Sequence, residues 1–155
     1  MPDTNTHVPV SLMKRLIAII YDAFLLIALC FMVASLVSII TTFILNDLNA
    51  ITKNHPYYLL NRVIMLGTIF MTGFIFYVWF WSHGGQTLGM KTWMLRLVSD
   101  DGNEISRKQA SIRALASVLS WSVFGIGFLW SLVDSKKRTW HDILSSSHLV
   151  QLEKK

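Results

Sequence analysis

The feature that most constrains this chain is one uninterrupted apolar run. From Leu16 to Leu45 it carries a single charged side chain, Asp22. A helix rises about 1.5 Å per residue, so the run outlasts the roughly 30 Å hydrocarbon core of a bilayer and must tilt or protrude. It is too long for a cleaved signal, whose apolar core needs only about 7–15 residues. A second apolar stretch, Val63 to Trp81, follows Arg62 and ends in Tyr77, Trp79 and Trp81, aromatics suited to a membrane interface. Hydrophobic residues make up 53 % of the chain and charged ones 15 %. A soluble domain carries about 25 % charged residues, so 155 residues of this composition do not read as an ordinary soluble enzyme or a disordered tail.

The net charge is +5. The basic residues sit at the ends of apolar runs, in Lys14-Arg15, Arg107-Lys108 and Lys136-Lys137-Arg138. That is the placement of membrane anchors and positive-inside loops, and it argues against nucleic-acid binding. Cys30 is alone and inside an apolar run, so neither an intrachain disulfide nor a cysteine metal site is expected.

The expected organisation is a tail over residues 1–11, one membrane domain over 12–152 and a short tail over 153–155. Asn46 to Pro56 reads as a loop between the two spans. Leu95 to Val98, the Asp101-Gly102 turn and Glu104-Ile105 read as a short cytosolic β-hairpin. Ser106 with Gln109 is a capping box that starts a helix near Arg107. A strand is expected over His148 to Leu152. The third apolar segment, residues 110–133, admits two paths. A third span would send Lys136-Lys137-Arg138 to the opposite side from Lys14-Arg15, against the positive-inside tendency. A broken or re-entrant hairpin with its apex at Gly125-Ile126-Gly127 avoids that conflict. The fold class is an all-α integral membrane protein with two long transmembrane helices, this third segment and the hairpin.

Asp22 is the residue with most chemical content. A carboxylate inside a membrane helix costs about 2.5–3.5 kcal/mol on insertion scales. Arg15 lies nearly two turns away on the same helix face, about 10 Å along the axis, and is expected to snorkel to the headgroups. Arg113 or Arg96 is then the expected charge partner of Asp22. Gly85-Gln86-Thr87-Leu88-Gly89-Met90-Lys91 superficially resembles a phosphate loop, but Met90 separates Lys91 from the glycine and no buried strand precedes it. It reads as a tight turn. Asp100-Asp101-Gly102-Asn103 reads as a turn rather than a calcium loop. Trp140-His141-Asp142 lacks metal-ligand spacing, and Asp142 reads as a cap or a partner for a basic residue. No complete catalytic set is present, so no enzyme activity, cofactor or metal is expected.

These residues together resemble the RDD family of small membrane proteins. The likeness is carried by Arg15-Leu16-Ile17-Ala18 through Asp22, by Gly85, Gln86, Thr87 and Gly89 with Lys91, by Leu95-Arg96-Leu97-Val98 with Asp101-Gly102, by Arg113 and by His141-Asp142. It covers about residues 12–152. The family is named for an Arg and two Asp. The match assigns these to Arg15, Asp22 and Asp142, with Asp134 the weaker alternative for the last. Leu144-Ser145-Ser146-Ser147-His148 stands where a glycine-containing turn is usual. The resemblance implies a bacterial inner-membrane protein of two to four hydrophobic segments with a suspected transport role, and Lys14-Arg15 places the N-terminus in the cytoplasm. Two functions follow as expectations. One is transport of a cation or small solute, with Asp22 as coupling site and a homo-oligomer enclosing the path. The other is an accessory subunit bound to another membrane protein, with Asp22 as a structural clamp. The bilayer is a partner in both.

Overall fold

The structure is a computed structural model that describes residues 10–46 and 52–152. Most of the tail expected over residues 1–11, the middle of the loop after Asn46 and the tail over 153–155 lie outside the described residues. The chain runs α1 (Leu12–Leu45), α2 (Tyr58–Ser82), α3 (Leu88–Thr92), β1 (Leu95–Ser99), α4 (Arg107–Ser122), α5 (Ile126–Leu129) and a 3-10 turn over Trp130–Leu132. It finishes with α6 (Trp140–Leu144) and β2 (Ser147–Gln151).

α1 contains neither Gly nor Pro, so nothing interrupts it for 34 residues. α2 opens just after Pro56 and closes just before Gly84 and Gly85, which take φ of +105° and +72°. Both helices are long and apolar enough to cross a membrane. Their apolar surface is hardly covered by protein. The most apolar stretch of α1 has no buried residue, and Phe43 is 85 % exposed. A helix apolar all round with open faces is built for lipid rather than water.

The described chain forms two compact units. Phe24 to Phe76 make one of them. Within it, Gly73 leaves room against the Leu26 side chain, and Thr41 Oγ1 meets Asn61 Oδ1 at 3.5 Å. Ser35, Thr68 and Thr72 return their hydroxyls to carbonyls four residues back, so no polar group faces the apolar surroundings unpaired at these positions.

The other unit holds the described residues up to Ala23 and from Tyr77 onward. Its sheet corrects the expected hairpin. β1 pairs with β2, antiparallel, in a register that sets Leu95 opposite Gln151 and Ser99 opposite Ser147. The turn at Asp101-Gly102 forms as read, with Gly102 at φ +80° and its N–H donating to Ser99 O at 3.0 Å. It does not lead to a strand. Ser106 already caps α4, and Glu104-Ile105 is too short a stretch to build a ladder. The C-terminal strand fills the place, one residue earlier than expected from the sequence.

α4 starts at the predicted capping box, with both reciprocal bonds between Ser106 and Gln109 formed. It breaks at Val123 to Gly125, where Phe124 and Gly125 take φ of +55° and +75°. α5 and its 3-10 turn then leave at 108° to α4. The close return depends on Gly127, where a Cβ would stand 2.2 Å from Ser120 Oγ. The break falls on the predicted apex. Arg15 Nη2 donates to Lys137 O at 3.1 Å, so the N-terminal and C-terminal basic clusters meet at one end of this unit.

Candidate functional site

Asp22 sits on the buried face of α1 with Ala18 and Arg15, at the four- and seven-residue spacings of one helix face. It is 3 % exposed. Neither expected arginine reaches it. Its Oδ2 accepts from Thr87 Oγ1 at 2.5 Å, and its Oδ1 accepts from Gly89 N at 2.8 Å. The Thr87 hydroxyl also accepts from Met90 N at 3.2 Å as the N-cap of α3. One hydroxyl thus caps a short helix and ties that helix to α1. Hydrogen bonds to a charged group contribute about 1.5–3 kcal/mol each, so two of them offset a membrane insertion cost of about 2.5–3.5 kcal/mol.

The Gly-Gln-Thr-Leu-Gly stretch is the geometry that makes this tie. At Gly89 a Cβ would fall 2.3 Å from Ala18 O and 2.9 Å from Asp22 Oδ1. Only glycine lets α3 approach α1 this closely. Gly85 has positive φ, and a Cβ there would stand 2.4 Å from Leu97 O. Its own carbonyl accepts from Leu97 N at 2.7 Å, and Gln86 Nε2 donates to Leu95 O at 2.7 Å. These bonds fix the loop to β1. Lys91 is exposed and takes no part.

Arg15 and Asp142 make the second tie. The snorkelling expected for Arg15 is overturned, because its side chain is 5 % exposed and its Nη1 donates to Asp142 Oδ2 at 2.6 Å. Arg113 Nη1 stands 2.6 Å from Asp142 Oδ1 as an ion pair and donates to Ser147 Oγ at 3.0 Å. Asp142 is fully buried and is N3 of the capping box that opens α6, its Oδ2 also accepting from Thr139 N at 2.9 Å. The sequence reading of Asp142 as a cap or a basic-residue partner holds for both roles. Burial pushes the Asp142 carboxyl up, but Arg113 and Arg15 more than reverse this and hold it well below the usual carboxylate range. His141, beside it, is packed on Phe128 at 4.6 Å between ring centroids. Burial, with Arg113 and Arg15 near, pushes its imidazole down to about 3, so it stays neutral.

The other candidates fall away. Arg96 pairs at the surface with Glu104 at 3.5 Å. Asp134 accepts from the backbone of Lys136 and Arg138 and pairs with the Arg138 side chain at 3.3 Å. Sequence reasoning paired Arg113 with the wrong carboxylate and did not see Thr87 as the donor to Asp22. The N-cap pattern of Thr87 before Leu88 was the available signal for the second. Among the described residues no group of acidic, His or Cys side chains is arranged to hold a metal.

The RDD family sequence model matches residues 9–146, which hold Arg15, Asp22, the glycine-rich loop, Arg113, His141 and Asp142. The chain belongs to the RDD family. No curated protein and no solved structure matches it. Arg15, Asp22 and Asp142, which the resemblance matches to the Arg and the two Asp of the family's name, are all buried here: Arg15 and Asp142 bond to each other, and Asp22 bonds to the glycine-rich loop.

Between these ties the RDD unit encloses a cavity of about 180 Å³. Arg15, Arg113, His141 and Asp22 lie on its wall, and most of the rest is apolar, including Ile19, Val118 and Phe128.

Proposed function

We propose that this RDD protein is a non-catalytic accessory subunit of the bacterial inner membrane, with its N-terminus in the cytoplasm, that associates with another membrane protein. Asp22 is its structural clamp. The observation that carries this reading is the bonding of Asp22, whose two oxygens are both engaged by Thr87 and Gly89. Thr87 and Gly89 hold the carboxylate against α3, which suits a fixed tie between helices more than a group that loads and releases a cation each cycle. The open apolar faces of α1 and α2 support association within the bilayer, since two long helices are too few to enclose a polar path. The basic clusters around Arg15 and Lys137, gathered at one end, support a cytoplasmic N-terminus.

The test is cation-driven proton flux in proteoliposomes, wild type beside Asp22→Asn, together with in-membrane crosslinking and mass analysis of the products. No flux from either protein, with a stoichiometric membrane-protein partner crosslinked to both, is the expected result. Flux in the wild type that disappears in a well-folded Asp22→Asn would overturn the clamp and restore the transport reading.

A further inference from the structure

The cavity in the unit around Arg15 has a chemistry of its own. Its volume of about 180 Å³ is close to that of an engineered cavity, about 150 Å³, that takes up benzene. One ring or a short alkyl chain fills such a space. The wall is mostly apolar, with Ile19, Met90, Val118, Trp121 and Phe128 among its side chains.

The polar part of the wall is incomplete. Arg15, Arg113 and His141 are each more than nine-tenths buried. Arg15 Nε, Arg113 Nε and His141 Nδ1 have no hydrogen-bond partner among the described residues. The two orphaned guanidinium donors are costly and call for an acceptor, and the neutral His141 ring offers a third donor in its Nδ1–H tautomer. The ion pairs point the same way. Two guanidinium groups share the one carboxylate of Asp142, which leaves N–H capacity on both that Asp142 does not fill. The Trp81 ring, 5.3 Å from Arg113 Cζ, is the aromatic face against that charge. Asp22, the other carboxylate on the wall, is engaged on both oxygens by neutral donors and does not pair with either arginine.

We propose that this cavity binds a small anionic amphiphile, a short apolar body with a carboxylate-like head received by Arg15, Arg113 and His141. The head satisfies the open guanidinium N–H groups, while the body fills the apolar space. A free short-chain acid and an anionic lipid reaching in from the bilayer share this chemistry.

The test uses the full chain in nanodiscs of zwitterionic lipid, with octanoate as the probe. Trp81 and Trp121 line the cavity, so their fluorescence reports occupancy. Saturable octanoate binding is expected, with 1-octanol about tenfold or more weaker because it lacks the charge. Val118→Phe, which enlarges an apolar wall side chain that makes no bond to the ion pairs, should weaken octanoate by about tenfold or more at an unchanged unfolding midpoint. A chain-length series on the wild type gives a readout that needs no variant: affinity should rise from butanoate to octanoate and fall again at longer chains that the cavity cannot hold. Nanodiscs containing anionic lipid distinguish the sources. Competition there makes the bilayer the source, and unchanged affinity makes it the free acid. Absence of saturable binding, equal affinity for octanol and octanoate, or affinity that climbs without a maximum along the chain series would each overturn the proposal.

Discussion

Asp142 carries two arginines, and this makes it the most sensitive single position in the chain. Asp142→Asn leaves Arg15 and Arg113 buried with no counter-charge. Breaking a buried ion pair by removing one partner costs about 3–5 kcal/mol, and the unfolding midpoint in detergent should fall accordingly. Asp134→Asn, which removes the charge from a single, partly exposed ion pair with Arg138, should move that midpoint far less. Gly89→Ala puts a methyl against Ala18 O and should destabilise by about 1–3 kcal/mol. His141 gives a pH signature. Its imidazole is neutral in the fold down to about pH 3 but takes a proton at its ordinary 6.5 when the chain unfolds. Its contribution to stability is therefore present above about 6.5 and is lost as pH falls from there towards about 3. Asp142 adds its own loss only below the ordinary carboxylate value of 3.8. The slope of stability between pH 6.5 and 4 should flatten by one proton in His141→Asn, as measured by denaturant titration across that range. A slope that is the same in both proteins would remove His141 from the account.

At the scale of elements, what the sequence made legible was local. The two long helices follow from uninterrupted apolar runs, the start of α4 from Ser106 and Gln109, and the break from Gly125-Ile126-Gly127, each within a few neighbouring residues. The misreadings were all distant pairings. β1 looked for its partner across the nearest turn and found it at Ser147–Gln151, because Ser106 commits the intervening chain to a helix. Asp22 looked for a positive charge and found a hydroxyl and a backbone N–H, which charge patterning does not reveal. Arg15 looked like a headgroup anchor because Asp142 is 127 residues away. The caps can be tested singly. Ser106→Ala should cost about 1 kcal/mol, the usual value of an N-cap. Gly125→Ala should cost about 1–2 kcal/mol, since a side chain must then enter the left-handed region.

At the scale of the whole molecule, the meeting of Arg15 with Lys137 and Asp142 bears on how the chain lies in a membrane. Residues in contact cannot stand on opposite sides of a bilayer, so where α1 and α2 cross one, the contacts of Arg15 and Arg113 with Asp142 call for the segment from Ala110 to Val133 to return to the side on which it began. In a Cys30→Ala background, Ser135→Cys should be labelled from the cytoplasmic side and Lys53→Cys from the other. Labelling of both from one side would refute this path. The same contact has a consequence for biosynthesis. Arg15 leaves the ribosome long before Asp142 does, and through most of translation its charge has no counterpart in the nascent chain. A polypeptide broken off before α6 would keep two guanidinium groups without their carboxylate, while Asp22 still ties its first helix to the glycine-rich loop. Such a product differs from the finished one in charge balance as well as in length.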